Sequence, residues 1–188
     1  MQQIREYFAQ VAELSDEDWD IFSAKLTAQT YPAKSLLLKA GQTEKYLSFI
    51  QKGAVRFFIP KEETDLTFGF VFENSFFSAY DSFLTQKPSG YSVKTLMETT
   101  LWRLTYHNLQ EIYAQSKVGN TIGRYAAERL FLLKSKRELS LLHETPEERY
   151  LNLFTERPDL IKQIPLKYIA SYVGVTPQAL SRIRKRIS

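Results

Sequence analysis

The side chains best equipped for chemistry crowd into the segment PLKYIASYVGVTPQALSRIRKR, residues 165–186. A helix from Pro177 onward puts Gln178, Ser181, Arg182 and Lys185 on the side opposite an apolar stripe of Leu180, Ile183 and Ile187. An amide, a hydroxyl, a guanidinium and an ammonium on one face form a dense donor array. A guanidinium can pair bidentately with O6 and N7 of guanine, and a carboxamide with N6 and N7 of adenine. The chemistry on offer is recognition of a polyanion rather than bond-making.

Nothing elsewhere in the chain competes with it as a catalytic centre. The two histidines, His107 and His143, lie far apart and outside any metal or triad spacing, so surface or capping roles fit them. Glycine-rich phosphate loops and the G-x-S-x-G elbow are missing. Zero cysteines exclude disulfides, zinc-thiolate sites, iron-sulfur clusters and cysteine nucleophiles. No metal and no cofactor is expected, and the chain does not read as an enzyme.

Two short helices must position the C-terminal face. Pro165 suits the first helical position, and Leu166, Ile169, Ala170 and Val173 then recur at helical spacing. Gly174 supplies the turn, Thr176 a cap and Pro177 the first position of the second helix. This is the expected helix-turn-helix arrangement, whose second helix enters a DNA major groove. Charge placement agrees with that reading. Residues 1–144 carry 17 basic and 17 acidic side chains, whereas residues 145–188 carry 8 and 4, so the whole net charge of +4 lies in the tail.

Upstream, residues 2–29 read as helical, with Ser15 and Asp18 as a capping-box-like start and Trp19, Phe22 and Leu26 at helical spacing. Short strands follow at Ser35–Lys39, Tyr46–Gln51, Ala54–Ile59, Leu66–Phe72, Tyr91–Thr95 and Thr100–Thr105, the pattern of a small β-roll. His107 to Leu142 reads as helical with a break near Gly119. Within it Ile122, Ala126, Leu130, Leu133 and Leu141 keep one side apolar, interrupted by Arg137, and fit either pairing with a second helix or packing within the chain. Thr145-Pro146-Glu147-Glu148 opens a further helix. The expected class is α+β: a roll with flanking helices over 1–115, a long helix over 116–143 and a helix-turn-helix unit over 144–188. No apolar run approaches the ~20 residues that span a bilayer, so no membrane partner and a cytoplasmic location are expected.

This order of elements resembles the Crp/Fnr family of bacterial regulators over nearly the whole chain. The most specific matches are KAGQTEKYLSFIQKGAVRFF, Lys39 to Phe58, and the tail from TPEERYLNLF to LSRIRKR, which is especially similar to a subgroup found in Bacteroidetes. The resemblance implies a jelly-roll-like effector domain, a homodimer through the long helix and two recognition helices about 34 Å apart on double-stranded DNA. It places base-reading positions on Pro177, Gln178 and Arg182, of which Pro177 has no hydrogen-bond donor. Thr176, Ser181, Lys185 and, from the first helix, Lys167 suit phosphates. RNA polymerase is a further expected partner. Because the chain stops at Ser188, any winged-helix-like unit is expected to have a truncated wing.

In cyclic-nucleotide-binding relatives a short cassette carries Gly-Glu for the ribose and Arg-Ser for the phosphate. Here those positions hold Ser78, Ala79, Ser89 and Gly90, which predicts no cyclic nucleotide bound in the usual way, although Lys87 or Lys94 could substitute for the missing cation. The aromatic residues Phe76, Phe77, Tyr80 and Tyr91 around the cassette fit two readings. One is a pocket for an unidentified apolar or aromatic small-molecule effector, and the other a filled core. An alternative to DNA reading also stays open: a small-molecule-sensing module whose basic tail contacts protein.

Overall fold

The computed structural model describes residues 1–187. In chain order the elements are α1 (Gln2–Ala9), α2 (Asp16–Ser23), β1 (Thr27–Tyr31), β2 (Leu36–Leu38), β3 (Tyr46–Lys52), β4 (Ala54–Ile59), β5 (Leu66–Phe72), β6 (Ser75–Phe77), α3 (Tyr80–Thr85), β7 (Ser92–Thr95), β8 (Thr99–Thr105), α4 (Tyr106–Gln115), α5 (Gly119–His143), α6 (Pro146–Glu156), α7 (Pro158–Gln163), α8 (Leu166–Val173) and α9 (Pro177–Ile187). The strands form two four-stranded antiparallel sheets, β1-β8-β3-β6 and β2-β7-β4-β5, packed face to face as a β-sandwich.

Alternation along the strands sorts their side chains into three cores. Ile50, Val55, Phe57, Phe77, Val93 and Leu101 point between the sheets. On the outer face of the first sheet Phe49, Leu104 and Trp102 meet α1, α2 and α4 through Ile4, Phe8, Phe22 and Ile112. The outer face of the second sheet presents Phe70 and Phe72 to the C-terminal helices, whose core is Tyr150, Leu153, Leu160, Ile169, Val173 and Leu180. Each sheet is thus covered on both sides. That is why the strands carry apolar runs in place of a clean in-out pattern.

Three expectations need correction. Residues 2–29 are not one helical stretch: the chain turns after Ala9, restarts where the Ser15 hydroxyl caps α2, and then forms β1. Thr27-Ala-Gln-Thr-Tyr is a β-prone edge strand registered on β8 from Thr27↔Arg103 to Tyr31↔Thr99, and this pairing overrides the weak helical repeat at Leu26. Strand β6, three residues against β3, is too short to leave a periodic signal. Pro165 precedes α8 with an extended ψ of 136°, so it is the cap and Leu166 the first helical residue.

The β3–β4 connection requires its glycine. Gly53 has φ +105°, and a Cβ there would lie 2.7 Å from the Glu98 carbonyl oxygen and 2.9 Å from the Thr99 Cα. Because two of the three nearest atoms are backbone of β8 and the residue before it, a side chain there could not be accommodated by a rotamer change.

Candidate functional site

The C-terminal face is built from the turn outward. Helix α8 ends at Gly174, whose φ of +86° only glycine adopts without strain; its N–H and that of Val175 donate back to the Ala170 carbonyl at 3.0 and 2.9 Å. The Thr176 hydroxyl then accepts the Ala179 N–H at 3.2 Å and starts α9 at Pro177. Leu180, 1% exposed, is the pin that seats α9 against Ile169, Ala170 and Val173. With that side fixed inward, Pro177, Gln178, Ser181, Arg182 and Lys185 share the exposed side, and Thr176 stands at its start. Lys167 is exposed on α8, its ammonium 4.9 Å from the Tyr168 ring.

Arg182, Ala179, Ile183 and Arg186 form one wall of a groove whose other wall is Thr145, Pro146 and Glu147 at the start of α6. Arg186 is ion-paired with Glu147. Arg149 carried no signal in the sequence beyond its place in the first turn of α6. Its guanidinium donates to the carbonyls of Val173 (2.9 Å) and Glu144, tying the C-terminal end of α8 to the start of α6. Taken together, the exposed side of α9 offers amide, hydroxyl, guanidinium and ammonium donors on a helix held rigidly at its first turn. That donor set suits base edges and phosphate oxygens. Among the described residues no group of three or more His, Asp and Glu is placed to hold a metal ion.

The cassette residues are not gathered around one space. Phe77 and Tyr91 point between the sheets and pack with Phe57 and Phe68, with ring centroids 4.9–6.2 Å apart. Phe76 faces the other way, against Tyr7, Phe8 and Phe49, and Tyr80 stacks on Phe83 in that same core. Ser78 donates to the Tyr46 carbonyl at 2.9 Å, Ser89 to that of Tyr91 at 2.9 Å, and Gly90 is exposed. The Tyr91 hydroxyl donates to Asp81, and burial, followed by that bond, pushes its pKa up.

Two charges that the sequence did not single out lie inside the roll. Glu44, 5% exposed, accepts the N–H groups of Lys45 and Tyr46 at 3.0 Å each and that of buried Ala79. Its carboxylate therefore occupies the amide end of α3, where an incoming anion would be favoured. Burial raises its pKa, opposed by those N–H groups and by Arg103. Arg103 projects inward from β8, stacks 3.8 Å over Tyr46 and donates to Ser48 (3.3 Å) and to the Tyr31 hydroxyl. Two isolated charges, one in the connection before β3 and one on β8, far apart in sequence, left no motif to read.

Helix α5 presents two different faces. Ile122 is buried in its own chain beside Ile112 and Phe8, Lys134 reaches 5.2 Å over the Phe68 ring, and Arg137 stacks 4.1 Å on Tyr172 and donates to its carbonyl. Ala126 and Leu130 are half-buried, while Leu133 and Leu141 are exposed. The apolar residues most open to solvent are Phe131 (71%), Leu132 (65%) and Leu142 (74%), with Leu139 and Tyr125 also exposed. Tyr125, Glu128, Leu132, Ser135, Leu139 and Leu142 step by three and four residues in turn, a heptad seam turned away from the Ile122 side.

Residues 28–116 match the sequence family described as a cyclic nucleotide-binding domain. No curated protein matches the chain. Similar solved structures include a mutant of CooA from Carboxydothermus hydrogenoformans (TM-score 0.70, 14% identity, 93% of this chain and 85% of that one). The c-di-GMP responsive global regulator CLP of Xanthomonas campestris is similar to the same degree (TM-score 0.70, 17% identity, 92% and 91%). A protein from Eubacterium rectale described as a transcriptional regulator of the Crp/Fnr family follows (TM-score 0.68, 15% identity, 96% and 87%). At these identities the likeness is one of fold, and it extends over the roll, the long helix and the C-terminal helices together. Among the described residues no helix is long and apolar enough to cross a membrane.

Proposed function

We propose that this chain is a sequence-specific DNA-binding transcriptional regulator of Crp/Fnr type, working as a homodimer in the cytoplasm and lacking catalytic activity. The observation that carries the reading is α9. One side is pinned by buried Leu180, and the other sets Gln178, Ser181, Arg182 and Lys185 in an exposed row behind a glycine turn and a threonine cap. In this reading α8 and α9 form a helix-turn-helix, Arg182 and Gln178 meet base edges, and Thr176, Ser181, Lys185 and Lys167 meet phosphates. The expected truncated wing lies outside the described residues. RNA polymerase is the partner through which such a regulator would act.

Counterion release gives the direct test. Titrating a labelled duplex, enriched from a random pool by the protein itself, at increasing salt should give log K falling linearly with log salt, with several phosphates neutralised per dimer. A flat salt response, or no duplex binding at low salt, would instead favour a tail that contacts protein.

For the roll, the reading is a sensor-like domain that does not take a cyclic nucleotide in the usual way. The family's ribose carboxylate and phosphate guanidinium are replaced by Ser78, Ala79, Ser89 and Gly90, and the amide end of α3 already holds the Glu44 carboxylate. A phosphate brought there would meet a buried acid, with the nearby Arg103 guanidinium already engaged by Ser48, Tyr31 and Tyr46. Calorimetric titration with cyclic AMP or cyclic GMP should therefore give no saturable heat at millimolar ligand; a saturating isotherm with either would sink this part of the reading. An apolar effector would have to move the Tyr91 ring aside.

A further inference from the structure

Strand β5 is the outer strand of its sheet, so one row of its backbone groups has no strand partner. Helix α8 supplies one. The Thr67 N–H donates to the Ser171 hydroxyl at 2.8 Å, and that hydroxyl donates to the Asp65 carbonyl at 2.8 Å. On either side of Ser171, at helical spacing, two tyrosines carry arginines. Arg56, 3% exposed, lies 4.2 Å from both the Tyr168 and Phe58 rings and is paired with Asp65, while Arg137 of α5 stacks on Tyr172. Both guanidinium groups keep one buried Nε–H without a partner among the described residues. A buried cation with an unmet donor costs stability. The docking is therefore held by stacking and by Ser171, against a standing penalty that separation would relieve.

The same docking brings the tip of the β4–β5 hairpin, Pro60 to Thr64, to face Thr176 across a single open concavity. Glu62 and Glu63 sit at that tip beside Lys61, which leaves it with one surplus negative charge. That surplus charge thus lines the same concavity as Thr176, which caps α9, on ground that duplex phosphates would approach.

We propose that the β5 edge and Ser171 form an autoinhibitory latch: while closed, it holds the acidic hairpin tip beside the start of α9, and opening it raises DNA affinity. The inference rests on the DNA-reading assignment above. An opened form that binds better need only be a minor species in the resting protein, because the apparent affinity scales with the fraction that is open.

The test compares wild type with Ser171→Ala, Tyr168→Leu and the pair Glu62→Gln/Glu63→Gln, each alone and with the pair placed in the Ser171→Ala background. Hydrogen exchange reads the latch without DNA: the Thr67 amide should lose protection by about tenfold or more in Ser171→Ala. Anisotropy with the enriched duplex should show tighter binding, by roughly threefold to tenfold, for Ser171→Ala and Tyr168→Leu. Neutralising the two acids should tighten binding in the wild-type background and have little effect once Ser171 is gone, because the tip then no longer sits by α9. Unchanged or weaker duplex binding by Ser171→Ala with a deprotected Thr67 amide overturns the latch. So does an equal gain from the acid pair in both backgrounds, which would mark a general charge effect. If no form, wild type included, binds duplex at low salt, the DNA-reading assignment itself falls and takes this inference with it.

Discussion

Replacing Leu132 and Leu139 together by glutamate should leave a folded chain that sediments as a monomer at micromolar concentration, and should weaken binding to a two-half-site duplex by about 10²–10⁴-fold. The argument begins with exposure. Leu132 and Leu139, one heptad apart, are 65% and 52% exposed, so neither substitution opens a cavity in the chain. Both lie on a seam with Tyr125 and Leu142, interrupted by Glu128 and Ser135, whose exposed leucines an isolated protein gains nothing by keeping. Facing glutamates across a two-fold seam would be like charges pressed together, disfavoured on both electrostatic and desolvation grounds. The affinity loss follows from geometry. In the proposed dimer the second α9 would bind at the effective concentration set by the first, and a monomer would forfeit that gain even though its own α9 is unaltered.

Two controls sharpen the expectation. Ile122→Ala should cost about 2–5 kcal/mol of stability with little effect on association, because Ile122 is buried against its own roll. A double glutamate variant that still sediments as a dimer, or a wild-type chain that is monomeric throughout, would remove the seam. Sequence left the use of the other side of α5 open between pairing with a second helix and packing within the chain. Ile122, Ala126, Leu130, Leu133 and Leu141 lie along one side of an ideal helix, and the interruption at Arg137 was the clue to what that side does. Arg137 is a stacking partner for Tyr172 and Ile122 is buried in its own chain, while Leu133 and Leu141 stay exposed, so that side of α5 is spent only in part within the chain. Periodicity finds apolar stripes; it does not say whether the covering surface belongs to the same molecule.

Other parts of the fold were legible for local reasons. Strands β4 and β5 fall within the residues that their β-branched and aromatic runs mark out, and Thr145, Thr176 and Gly174 take the caps and the turn their chemistry prescribes. Strands β1 and β6 were not legible, because edge pairing to β8 and β3 creates them and no local pattern demands them. The interior charges show the same limit. Glu44 and Arg103 are 59 positions apart in sequence, and only closure of the roll brings them into one electrostatic neighbourhood. Likewise nothing in Ser171 announces that its hydroxyl will finish the edge of β5. A small hydroxyl on the inner side of α8 reads as packing, and its second role exists only once the C-terminal helices have docked on the sheet.

Arg182→Ala should lower affinity for the preferred duplex by about 1–3 kcal/mol per half-site and flatten preference at one base pair in each half, while leaving binding to unrelated duplexes nearly unchanged. Arg182 is exposed on the donor side of α9, one turn past Gln178, and the carboxylate nearest its groove, Glu147, is already held by Arg186. Its guanidinium is therefore available for a planar, bidentate partner. Arg182→Lys should recover little of the loss, since an ammonium cannot reproduce the paired geometry at guanine O6 and N7. Lys185→Ala makes the contrast: removing the ammonium here assigned to phosphate should weaken all sequences alike and reduce the salt slope by about one. The two variants thus separate reading from holding by different observables, the sequence profile for Arg182 and the salt slope for Lys185. If Arg182→Ala weakened every duplex equally and took the salt slope down with it, Arg182 would be a phosphate clamp, and the burden of recognition would pass to Gln178.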